Sequence, residues 1–120
     1  MAELLLRFAT LWLNHRIATG SPLAKHATEV EPLLVANGDM IVASIQVGRL
    51  FPTGADNTGW ATSKDPGKTW KHGFLDGITL AVGGTWTEVS LPTVAFDHKH
   101  RTYLIASMPF DAKGTGAEFS

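Results

Sequence analysis

The sequence predicts an all-β fold: a four-stranded antiparallel unit followed by part of a second. Three observations carry that expectation. From Ala27 onward the chain consists of short runs rich in Val, Ile, Thr and aromatic residues, separated by Gly, Pro, Asn and Asp, the punctuation of strands and tight turns. Asn37-Gly38 stands just before the apolar run Met40–Val47 and signals a two-residue hairpin, because both positions tolerate positive φ. The order proline, strand, turn, strand then starts again later in the chain.

The elements follow in order. Residues 1–26 differ in texture from the rest. Glu3, Arg7, Thr10 and Asn14 recur at helical spacing and leave Leu4, Leu5, Phe8, Leu11 and Trp12 as an apolar face, which predicts a short amphipathic helix. A degenerate targeting segment is the alternative, although Arg7 interrupts the apolar run and no small-x-small cleavage site follows. The run Leu4–Leu13 is about half the length of a membrane-spanning helix.

Leu33–Ala36 and Met40–Val47 form the first predicted antiparallel pair, and the second strand is apolar enough to be buried on both faces. Thr58–Ser63 and Thr69–Phe74 supply two more strands across the corner Asp65-Pro66-Gly67-Lys68, where proline and glycine suit the central turn positions. Together these make a meander over about residues 27–77. Pro92, Thr93–Phe96 and Leu104–Ser107 then echo Pro32, Leu33–Ala36 and Ile41–Ser44, with offsets of 60 at the prolines and 63 at the serines. A four-stranded unit repeated at this spacing fits propeller blades, with the second beginning near residue 90; an ordinary β-sandwich would carry the same pattern.

Composition narrows the function. The chain has 120 residues, 44% of them apolar, and a formal charge of -1 from 10 basic and 11 acidic residues. That is enough apolar material for one core, and no basic surface to neutralise a run of phosphates, so nucleic acid is not an expected partner. Cysteine is absent, which removes disulfides, thiolate metal sites and a cysteine nucleophile together. No cofactor is expected.

The stretch SKDPGKTW, residues 63–70, concentrates the candidate chemistry. Gly67-Lys68-Thr69 matches the end of a phosphate loop, but Thr62 stands where that loop needs its first glycine, and strand rather than helix follows. As a general acid or metal ligand, Asp65 lacks a paired carboxylate and enough neighbouring oxygens. A structural role remains: the Asp65 carboxylate accepts backbone N–H groups of its own turn, the Ser63 and Thr69 hydroxyls tie the strand ends, and Trp70 covers the corner.

At Ser63, Asp65, Gly67, Thr69 and Trp70 the stretch resembles the Asp-box, or BNR repeat, of sialidase-like β-propellers. The resemblance runs from about His26 to Met108, through TEVEP, VASIQVGR, GWATS and LPTVAFD. It implies a partial propeller over residues 27–120, with the Asp-box capping the hairpin between the outer strands of a blade, away from the substrate pocket. A glycan or glycoconjugate partner and an extracellular or periplasmic setting are implied as well. Enzymes of that family clamp the carboxylate of a terminal sialic acid with three arginines, the first in an Arg-Ile-Pro motif; here Val30 and Glu31 precede Pro32, so that arginine is missing. The resemblance makes Arg49 a substrate-binding candidate and Asp56, the only acid in the following loop, a candidate general acid. Exposed strand-end charge and plain turn composition are the competing readings of the two.

The remaining features read as structure. Tyr103 lies in a predicted strand and is expected to pack. Asp97, His98 and His100 read as a solvated turn, without the further ligand a metal would need. Trp60, Trp70 and Trp86 could stack on sugar rings, but at this density tryptophan is mostly core. The expectation is therefore a glycoside-hydrolase-like propeller piece that is not catalytic as this chain, or a noncatalytic Asp-box module binding glycan or protein. Unpaired blade edges predict self-association.

Overall fold

The computed structural model describes residues 25–50 and 54–111. The helix expected within residues 1–26 falls on positions outside the described residues, except that Lys25 and His26 already lie in a strand. The fold is all-β. Strands β1 (Lys25–Asn37), β2 (Met40–Arg49), β3 (Ala55–Ser63), β4 (Lys71–Phe74), β5 (Glu88–Asp97) and β6 (Thr102–Phe110) form one open antiparallel sheet. A 3-10 turn at Leu80–Val82 is the one helical element among the described residues.

Strands β1 to β4 make the expected meander, and β3 then serves two neighbours. Its Gly59–Thr62 end pairs with β4, while Ala55 at the other end pairs with Val89 of β5. The β5–β6 hairpin is thereby carried across β1 and β2, which β5 approaches closely. The run Ile41–Gly48 of β2 is buried throughout, as expected of a nearly all-apolar strand covered on both faces, although Ser44 and Gln46 are polar. One face of β2 gives the cluster Ala43, Ile45 and Val47 with Ala61 of β3, against which Leu34, Trp70 and Phe74 pack. The opposite face holds Val42, Ser44 and Gln46 and meets β5 through a Gln46–Ser90 hydrogen bond.

Strand β1 begins at Lys25 rather than Leu33 and β5 at Glu88 rather than Thr93, and three further boundaries differ from the sequence expectation for a local reason. The first hairpin turns at Gly38-Asp39, since Asn37 pairs with Met40; Gly38 at φ 59 takes the first central position, the type II′ arrangement that glycine alone suits there. Strand β3 starts at Ala55 rather than Thr58, because the turn-forming residues at its start are satisfied inside the sheet. The Thr79 hydroxyl donates to the Asp56 carbonyl at 2.7 Å and to Asn57 Oδ1 at 3.2 Å. Strand β4 starts at Lys71, because the Thr69 amide and the Trp70 indole are bonded within the corner.

The internal repeat has a structural counterpart. Glu31 at φ 55 and Leu91 at φ 49 both occupy the left-handed region. Each precedes a proline and sits at a register break, between Val30 and Leu33 in β1 and between Ser90 and Thr93 in β5, where the local twist of a bulge is expected. The return strands show an offset of 62, not the 63 read from the serines. Leu33 pairs with Ser44 and Thr93 with Ala106, because the second hairpin's connection, His98–Arg101, is two residues longer than Gly38-Asp39. Ser44 thus corresponds to Ala106 rather than to Ser107.

Candidate functional site

The corner between β3 and β4 is closed by a network of hydrogen bonds centred on two side chains. Ser63, buried at the end of β3, accepts the Gly67 amide at 2.8 Å and the Asp65 amide at 3.4 Å through Oγ, and donates to Asp65 Oδ1 at 2.9 Å. Asp65 Oδ1 also accepts the Thr69 amide at 2.8 Å, and Oδ2 accepts the Thr69 hydroxyl at 2.6 Å. The Lys68 amide closes the turn on the Asp65 carbonyl at 3.1 Å, and Trp70 Nε1 donates to the Gly67 carbonyl at 3.1 Å. Gly67 supplies the positive φ of 83 that the turn needs.

These bonds to the charged form set the electrostatics. The Thr69 hydroxyl, then the Thr69 amide, hold the Asp65 carboxyl at about 2, below its ordinary 3.8. Both oxygens are turned to the carboxylate's own loop, and the acid is depressed. A proton donor at neutral pH needs the reverse. The corner is chemically a clasp.

Arg49 and Asp56 are positioned by the β2–β3 ladder. Arg49 pairs with Ala55, so its side chain and that of the next residue, Asp56, leave opposite faces of the sheet. Asp56 lies in strand β3 and is only 3% exposed, not in the loop the sequence suggested. Arg49 is half-buried at the end of β2. The two therefore do not converge on a common substrate atom.

The other candidates are engaged in packing. The Tyr103 hydroxyl donates to the Met40 carbonyl at 3.1 Å and the ring lies 4.7 Å from Phe96. Trp60 lies over Gly73, with Nε1 bonded to the Phe74 carbonyl at 3.1 Å, and half-buried Trp86 bridges to Thr79. His100 Nδ1 sits 2.6 Å from Asp97 Oδ2, and with the His100 amide it lowers the Asp97 carboxyl. Among the described residues no group of three His, Cys, Asp or Glu side chains could hold a metal ion, and no helix is long and apolar enough to cross a membrane.

Sequence reasoning missed a polar seam between the two hairpins. Gln46, 1% exposed, donates through Nε2 to Glu31 Oε2 at 2.5 Å and to Ser90 Oγ at 3.1 Å. Gln46 Oε1 and the hydroxyls of Ser44 and Thr58, on the same sheet face, are buried without a hydrogen-bond partner. Near the starts of β1 and β5, Glu29 and Glu88 each bury an Oε2 without a partner. Burial raises the Glu29 carboxyl to about 7 and raises Glu88 as well. Ser44 and Gln46 within an otherwise apolar buried strand were the available signal, since a buried polar side chain implies a specific partner.

Comparison with protein-family models, with curated proteins and with solved structures finds no match to the chain.

Proposed function

We propose that the chain is a sialidase-like β-propeller segment that takes part in glycan recognition and does not itself hydrolyse sialosides. On this reading β1–β4 are one blade and β5–β6 begin the next, in an extracellular or periplasmic protein. The observation that carries it is the clasp at residues 63–70: every defined position of the Asp-box resemblance has its own bond in the corner. The left-handed bulge before proline at residues 31 and 91 supports the repeat of the unit.

The charge at the seam supports the absence of turnover. A sialic-acid clamp needs guanidinium groups facing a carboxylate. Here Val30 stands at the first clamp position, and its neighbour Glu31 presents a carboxylate to Gln46; Glu29 and Glu88 add two more acids near the same strand starts. These buried carboxyls supply no cation for the carboxylate of a sialic acid.

Incubation of the 120-residue protein with a fluorogenic sialoside is expected to give no release above the protein-free rate, whereas release that Asp56→Asn abolishes would overturn the noncatalytic reading. Binding on a glycan array without hydrolysis is the positive outcome expected.

A further inference from the structure

The side chains at the seam between the two hairpins leave three hydrogen-bonding atoms over. Ser44 Oγ, Gln46 Oε1 and Thr58 Oγ1 are buried without a partner, in residues only 0%, 1% and 3% exposed. We propose that these atoms form a binding site for ordered water, which bridges β2 and β3 where the second hairpin covers them. The inference is independent of the glycan reading, because it rests on burial and strand register.

The register gathers the three atoms. Gln46 of β2 stands directly opposite Thr58 of β3, and Ser44 opposite Trp60, so the three side chains leave one face of the sheet. Directly opposed Cβ atoms lie about 4.5–5.5 Å apart, and one water spans two polar atoms up to about 5.6 Å apart at ordinary hydrogen-bond lengths. A single bridging molecule therefore fits the separation.

The Gln46 amide cannot turn round to relieve its oxygen. Its Nε2 gives both protons away, to Glu31 Oε2 at 2.5 Å and to Ser90 Oγ at 3.1 Å; a flip would set Oε1 against the Glu31 carboxylate. The second hairpin carries a similar group. Ser107 is 6% exposed with its Oγ unpartnered, on the β6 face from which Tyr103 reaches the Met40 carbonyl.

The chemistry of the set selects water. A hydroxyl needs an acceptor for its proton, and an amide oxygen needs a donor. Water supplies both, and a buried molecule makes about three hydrogen bonds, the number of atoms that Ser44, Gln46 and Thr58 present. A hard cation takes about six or more oxygens and would leave the hydroxyl protons without acceptors. An apolar group would satisfy none of the three.

The 120-residue protein tests this in two ways. In a crystal structure at about 1.2 Å, ordered water is expected within about 3.2 Å of Gln46 Oε1 and of at least one of the two hydroxyls. In urea unfolding, Thr58→Val removes a hydroxyl that water satisfies, and the folding equilibrium constant should fall about tenfold, equivalent to about 1.4 kcal/mol. Ser44→Ala should fall in the same sense, while Thr93→Val, at an exposed position of β5, should change the constant less than about twofold. Lithium, sodium and potassium chloride at equal concentration should give the same midpoint. Three results would overturn the proposal: no ordered water at the seam; Thr58→Val and Ser44→Ala proteins as stable as the wild type or more so, the sign of dry unpaired hydroxyls; or a midpoint raised by one alkali cation alone, which would assign the site to a metal ion.

Discussion

Single residues set the polar economy of this sheet. Ser63 is 1% exposed and holds the Gly67 amide, so Ser63→Ala leaves a buried donor without its acceptor. That substitution is expected to cost about 1–3 kcal/mol in urea unfolding, and a loss under about 0.5 kcal/mol would contradict the clasp. Glu29 acts in the opposite sense. Its folded carboxyl lies at about 7 against an ordinary 4.5 because burial penalises the charged form. Its contribution is therefore fully present below pH 4.5 and is lost as pH rises through about 7. Glu29→Gln should flatten that part of the stability–pH curve and raise stability at neutral pH; an unchanged slope would show that Glu29 is solvated. At this scale the corner was legible, because Asp, Gly and Thr act on their own backbone within a few residues. The burial of Asp56 and the role of Gln46 were not, since both depend on strands distant in sequence.

The strands themselves explain where local pattern succeeded and where it failed. Met40–Val47 is apolar at nearly every position and became the central buried strand β2, because no surface position was available to it. Strand β3 ran past its sequence boundary, since Ala55 and Asn57 gain ladder partners and Thr79 bonds Asp56 and Asn57, and tertiary pairing outweighs turn preference. Strand β4 stopped short because the clasp had already consumed the Thr69 amide. The bulges give a paired test. Leu91 and Leu104 are similarly exposed, at 58% and 55%, but only Leu91 has positive φ. A side chain in that region costs roughly 1–2 kcal/mol that glycine does not incur, so Leu91→Gly should be neutral or stabilising by up to about 1 kcal/mol. Leu104→Gly should lose about 0.5–1 kcal/mol at its ordinary strand position. Equal losses for the two variants in thermal unfolding would remove the case for a strained bulge.

On the scale of the molecule, two hairpins with the same bulge lie across each other, tied by Gln46 to Ser90 at one place and by Tyr103 to Met40 at another. The all-β class and the repeat were legible because proline, glycine and apolar runs recur. The packing of β5 on β1 and β2 was not, because a single residue pair, Ala55 with Val89, routes the second hairpin there. Strands β1 and β6 end the sheet path, and Leu33, Leu91 and Leu104 are exposed; open edges with apolar side chains template further pairing. Light scattering is expected to show species larger than the 12.9 kDa monomer, shifted toward monomer by Leu104→Lys, whereas a monodisperse monomeric wild type would contradict this. The propeller reading itself rests on the corner being a clasp and not a catalytic acid, and an NMR titration of the Asp65 side-chain carboxyl tests that most directly. The account predicts a midpoint near 2, with the Thr69 amide resonance moving in step; a midpoint at or above the ordinary 3.8, with the Thr69 amide unmoved, would contradict it.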